Sequence, residues 1–141
     1  MSGMCRQIQE ALEQFLVHQD FLKSFRIVSH GVGGLEGLHQ HKLATYGGRI
    51  LCLFHPLPHS IVDHLGTFYP ETLSLKLGLG CDGYDDEHLL DTVEALAILL
   101  HGHTLEYPSG TRLLYLPPQT PWSEPQITAH RQWVQMHLLV Q

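Results

Sequence analysis

Two His-x-His triplets are the residues of this 141-residue chain whose type and spacing best suit chemistry. They are His39-Gln40-His41 and His101-Gly102-His103, in a chain with twelve histidines and three cysteines. On a strand, residues i and i+2 share a face, so such a pair can grip one metal ion. Zinc accepts both imidazole nitrogen and thiolate sulfur. His39 and His41, joined by His30 or Cys52, would make a zinc site and with it a small metal-dependent enzyme or sensor. The spacing that fixes such sites is missing, with no CxxC, no HExxH and no regularly placed third and fourth ligand.

The remaining chemical candidates are weaker. Asp82, Asp85, Asp86 and Glu87 lack the DxDxDG spacing of a calcium loop, and capping of a following helix accounts for them. A Ser-His-Asp set can be assembled on paper, but no nucleophile elbow marks its serine. The sequence contains no GxxxxGK[ST] and no GxGxxG; Val32-Gly33-Gly34-Leu35-Glu36-Gly37 has neither the spacing nor a helix behind it. The expectation is therefore no catalytic set, no cofactor and no resident metal. The His39, His41, His101, His103 pairs stand as the alternative.

The elements that would position these residues follow from periodicity. Ile8, Ala11, Leu12, Phe15 and Leu16 recur at helical spacing behind Ser2, a candidate cap. Phe25 to Ser29 reads as a short strand. Arg49 to His55 is almost continuously apolar, as in a central strand buried on both faces. Thr72 to Gly80 alternates: Leu73, Leu75, Leu77 and Leu79 point one way, Ser74, Lys76 and Gly78 the other, which predicts a half-buried strand. The stretch from Cys81 to Gly102 reads as the strongest helix, capped by Asp85 or Asp86, with an apolar stripe of Leu89, Leu90, Val93, Leu96, Ala97 and Leu100. Gly102 stands where that helix should end, since glycine tolerates the left-handed turn that follows a helix. His101-Gly102-His103 thus reads as the helix stop. Pro108-Ser109-Gly110 is a turn, Thr111 to Leu116 a strand, and His130 to Val140 a long strand with Val134, Met136, Leu138 and Val140 on one face.

The order is α-β-β-β-α-β-β. It predicts an α+β fold in one domain, 1–141, with a largely antiparallel or mixed sheet of about five strands and two helices packed on one face. Two irregular segments interrupt it: a glycine-rich loop at 30–48, with six glycines, and a proline-rich loop at 117–129. Loops as long as the first are usually functional or ordered by a partner. Gly33, Gly34, His39 and His41 are therefore interface candidates. Trp122 and Trp133 join them because tryptophan is enriched at interfaces; for Trp133, on the face opposite Val134, a second core or a partly covered surface is the equal alternative.

Composition narrows the classes further. Hydrophobic residues at 43% and charged residues at 16% describe a globular chain. The net charge of −6, with eight scattered Lys and Arg residues, offers no basic cluster for sequence-specific or tight nucleic-acid binding. No apolar run is long enough for a membrane span and no signal peptide is evident. The odd, widely spaced cysteines fit cytosolic synthesis better than a disulfide framework.

The second half carries a resemblance. An acidic turn leads into LLDTVEALAILLHG, then a glycine turn, RLLYLPP, a proline-rich loop and the closing strand HRQWVQMHLLV. The first half agrees in outline: an N-terminal helix, FRIVSH, a loop, RILCLF and LSLKLGLG. This series is similar to the tail terminator (tail-completion) proteins of long-tailed bacteriophages, particularly the Mu-like branch. The resemblance spans nearly the whole chain as a pattern of elements, without a catalytic motif; the loop at 30–48 and the histidine content depart from it. It implies a structural virion protein made in the host cytoplasm and assembled into the tail. Such proteins form a ring, usually a hexamer, on the last ring of the tail tube. They stop tube polymerisation and face the head-side connector, and in contractile tails they also contact the sheath. Genome DNA then passes through the lumen without sequence-specific binding.

Overall fold

The computed structural model describes residues 3–29, 49–58, 61–62, 68–69, 72–82, 87–117, 122–123, 126–128 and 131–141. The helix α1 spans Met4–Val17, and a 3-10 turn at Asp20–Leu22 leads from it into β1, Arg26–Ser29. The cap position of α1 is Gly3 and not Ser2, and the helix opens with the Gln7 N–H donating to the Gly3 carbonyl. Its buried stripe, Ile8, Leu12 and Leu16, follows the predicted period.

The strands that follow are β2 (Arg49–Leu53), β3 (Leu57–Pro58), β4 (Ile61–Val62), β5 (Phe68–Tyr69) and β6 (Leu73–Asp82). The helix α2 spans Glu87–Leu100, and β7 (Thr104–Tyr107), β8 (Gly110–Tyr115), β9 (Gln126–Thr128) and β10 (Arg131–Val140) follow it. The main sheet runs β1-β2-β6-β10-β8-β7, with β3 also on β6 and β9 also on β10, while β4 and β5 form a separate pair. Only β1 and β2 are parallel among these pairings. The α+β class and the mixed, mostly antiparallel sheet agree with expectation.

The strand count and several boundaries do not. Ten strands replace about five among the described residues. Cys81 and Asp82 finish β6 instead of starting α2, because their backbones pair with Gln132 and Arg131. The segment read as a proline-rich loop contains β9, and Trp122 adds a bridge to Met136. A further strand, β7, precedes the Pro108-Ser109 turn. The expected loop at 30–48 lies outside the described residues.

β10 organises the sheet. One edge pairs with β6 along its whole length, Arg131↔Asp82 to Val140↔Leu73. The other edge is satisfied in three pieces: β9, then Trp122 and Ser123, then β8. Both helices lie on the sheet face formed by Leu51, Leu53, Leu73, Leu75, Leu77, Leu79, Val134, Met136, Leu138 and Val140. Each full burial of such a side chain contributes about 1.5–3 kcal/mol. Buried Gln9 adds a polar tie from α1, its Nε2 donating to the Leu53 carbonyl at 2.8 Å. α1 touches both terminal strands, β1 and β7, so the sheet curls around it.

The opposite face has its own core. Ile50, Cys52, Phe54 and Trp133 are buried together there. Register explains the cluster: Ile50, Gly80 and Trp133 form one row across three strands. A Cβ on Gly80 would collide with the Trp133 six-membered ring, so the indole lies directly on the glycine backbone. β6 is therefore half-buried only near Ser74 and Lys76; Gly78 and Gly80 are buried too.

Candidate functional site

The His101-Gly102-His103 turn is built entirely from the end of α2. The His101 N–H closes the last helical bond to the Ala97 carbonyl at 3.0 Å, and Gly102 adopts φ +83°. That conformation is easy for glycine and costly for other residues. The Gly102 and Leu114 amides then exchange bonds with the carbonyls of Leu114 and His103, both at 2.8 Å, locking the helix end to β8.

The two imidazoles are engaged separately. His101 Nδ1 accepts the Leu116 N–H at 3.0 Å, which commits that lone pair and leaves the ring proton on Nε2. His103 stacks on Phe15 of α1, with ring centroids 4.1 Å apart and planes at 19°. No group of three or more possible metal ligands occurs among the described residues. His39, His41, Gly33 and Gly34 lie outside them.

Trp133 lies in a second core, 1% exposed within a single chain. Trp122 remains accessible at 40%, beside the outer edge of β10.

Sequence reasoning missed one chemically suggestive pair. Ser74 Oγ and His137 Nε2 lie 2.5 Å apart on adjacent strands, beside a small cavity lined by Phe54, His55, Leu57, Ser74 and Lys76. A hydroxyl held against an imidazole is the start of a nucleophilic site. The cavity measures about 30 Å³, room for a water or two and not for an acyl or phosphoryl substrate. Each strand's alternation was legible, but only their register brings Ser74 and His137 together.

Cys52 is the other side chain whose type could act as a nucleophile. Burial pushes its thiol up to about 12, so it stays protonated and inert at neutral pH. Cys5 is raised more mildly by burial, an effect opposed by the Arg112 guanidinium.

Two outward surfaces are better formed than any pocket for chemistry. On α2, Leu90 is 49% and Ile98 76% exposed, with the exposed acids Asp91 and Glu94 between them. The second surface is an open hollow of about 300 Å³ between the end of α1 and β1, lined by Val17, Leu22, Lys23, Phe25, Arg26 and Ile27. Its floor is apolar and its rim carries two exposed cations. Periodicity does not show the α2 surface, because it places Leu90 in the buried stripe and Ile98 on no face.

No family model matches the chain, and no curated protein does. A solved structure, of a protein whose name states no activity, is similar over 98% of this chain and 95% of its own, with a TM-score of 0.59 at 10% identity. A likeness this distant is one of fold alone.

Proposed function

We propose that this chain is a structural virion protein, a tail terminator whose copies close into a ring, of six in the family it resembles, at the head-proximal end of a phage tail tube. The observation that carries the reading is the series from α2 through the histidine-glycine stop, the β7–β8 hairpin and the proline-rich segment to β10. That series is the pattern on which the resemblance rests. A tube of stacked rings grows until a subunit binds its end and offers no equivalent face to the next ring. The protein then works by shape: one surface meets the tube protein, another the head–tail connector, and a contractile tail adds the sheath. The net charge of −6 suits a lumen that lets DNA slide through, because few cations are available to hold phosphates.

Electron microscopy of particles made without the protein tests this reading. Tubes of uncontrolled length and tails without heads are expected, with tagged protein located at the head-proximal tip of complemented tails. Normal, head-joined tails in its absence would refute it.

A further inference from the structure

Ring closure needs two different surfaces on each copy, because a head-to-tail contact is heterologous. We infer that the outer face of α2 of one copy docks into the hollow between α1 and β1 of the next, with Ile98 as the apolar plug. This rests on the ring reading and adds to it the surfaces that meet.

The two surfaces complement each other in shape and charge. Ile98 is the most exposed large apolar side chain among the described residues, at 76%, and Leu90 stands two turns before it on the same helix. An aliphatic side chain projecting from a rigid helix fits a hollow of about 300 Å³ floored by Leu22, Phe25 and Ile27. Around the plug, Asp91 and Glu94 present two negative charges; around the hollow, Lys23 and Arg26 present two positive ones. Among the described residues none of these four forms an ion pair, whereas Arg6 does with Glu10. Apolar contact at the centre with charges at the rim is the usual anatomy of a specific interface. The rim charges select the partner surface and the buried anchor supplies most of the affinity. Neither surface is self-complementary, since a second α2 face would oppose acid with acid. The contact therefore propagates from copy to copy, and on the ring reading it closes.

Sedimentation of the full chain over rising concentration, alone and with purified tail tubes, reads the contact directly. Ile98→Glu is expected to weaken assembly by about 30-fold or more, the size of a central anchor loss. Glu94→Lys and Lys23→Glu should each weaken it by a smaller, salt-sensitive factor, while the chain carrying both exchanges should recover. Far-UV circular dichroism of each variant, matching the parent, confirms that the fold is intact. If all the variants assemble like the parent and enter tails, this interface is wrong and the ring reading stands. If the parent itself stays monomeric at every concentration and never joins a tube, both fall.

Discussion

The two faces of the central sheet are built on different rules. The helix-covered face is almost uniformly aliphatic, with leucines from β2 and β6 meeting the Val134–Val140 row and the stripes of α1 and α2. The opposite face relies on one large ring: Trp133 lies across Gly80 toward Ile50, with Cys52 and Phe54 beside it, and polar side chains begin in the next row at Gln135 and continue through Lys76, His137 and Ser74. Many interchangeable side chains share the load on the first face. On the second, a single fit between tryptophan and glycine carries it.

The largest test of that contrast is Trp133→Ala, expected to cost about 3–5 kcal/mol in chemical denaturation because a large buried ring leaves a cavity. Leu75→Ala on the helix-covered face should cost about 2–5 kcal/mol, toward the lower part of that range if its neighbours close the gap. A Leu75→Ala variant as damaged as Trp133→Ala would erase the distinction. Next comes Gly80→Ala, with an expected loss of about 1–3 kcal/mol from overpacking against the indole. The same substitution in a Trp133→Leu background should cost much less. A double-mutant cycle that shows simple additivity would mean the ring does not rest on Gly80.

How much of this contrast was legible depends on the kind of signal. The aliphatic face was read almost completely, because Leu73 to Leu79 and Val134 to Val140 each announce their face by alternation. The second core was open as an alternative for Trp133 but could not be assembled. Gly78 and Gly80 looked outward-facing in their own strand, and only the cross-strand row reveals what covers them. β7 does carry a signal, since Thr104, Leu105, Glu106 and Tyr107 alternate directly before a Pro-Ser turn. Two- and three-residue strands such as β3, β4, β5 and β9 have no period to read. The candidate interface was less legible still, because Ile98 and Leu90 are apolar residues whose exposure is set by the angle at which α2 sits on the sheet.

The cysteines sharpen the comparison with pH. Below about pH 9 the Cys52 thiol is protonated in both the folded and unfolded chains and contributes no pH dependence. Between that point and about 12 the unfolded chain ionises while the folded one holds its proton. Stability should therefore fall as pH rises through that window, and Cys52→Ala should flatten the fall. In the folded protein at pH 8, a thiol reagent should reach the partly exposed Cys5 first; fast labelling of Cys52 would show that the second face opens readily. Smaller again, His101→Ala removes the acceptor of the Leu116 N–H and should cost about 0.5–1.5 kcal/mol, seen as faster amide exchange at Leu116. The smallest expected effect is none: chelator treatment of untagged protein should leave the melting temperature unchanged, and a clear drop would revive a structural zinc site.

The placement of β10 has a kinetic consequence. The partners of one β6 edge, β2 and β3, precede it in the chain, while β10, on its other edge, arrives some fifty residues later, after α2 and a hairpin. During synthesis the leucine-rich β6 emerges with one edge open, and the β7–β8 hairpin can form locally but has nothing to join. Pairing across such separations closes large loops before any contact compensates, so this topology folds slowly compared with a helical bundle of equal length. The half-finished sheet is the state most exposed to mispairing with another nascent chain. When many copies are made together, the yield of competent subunits will be governed by how fast β10 finds its slot.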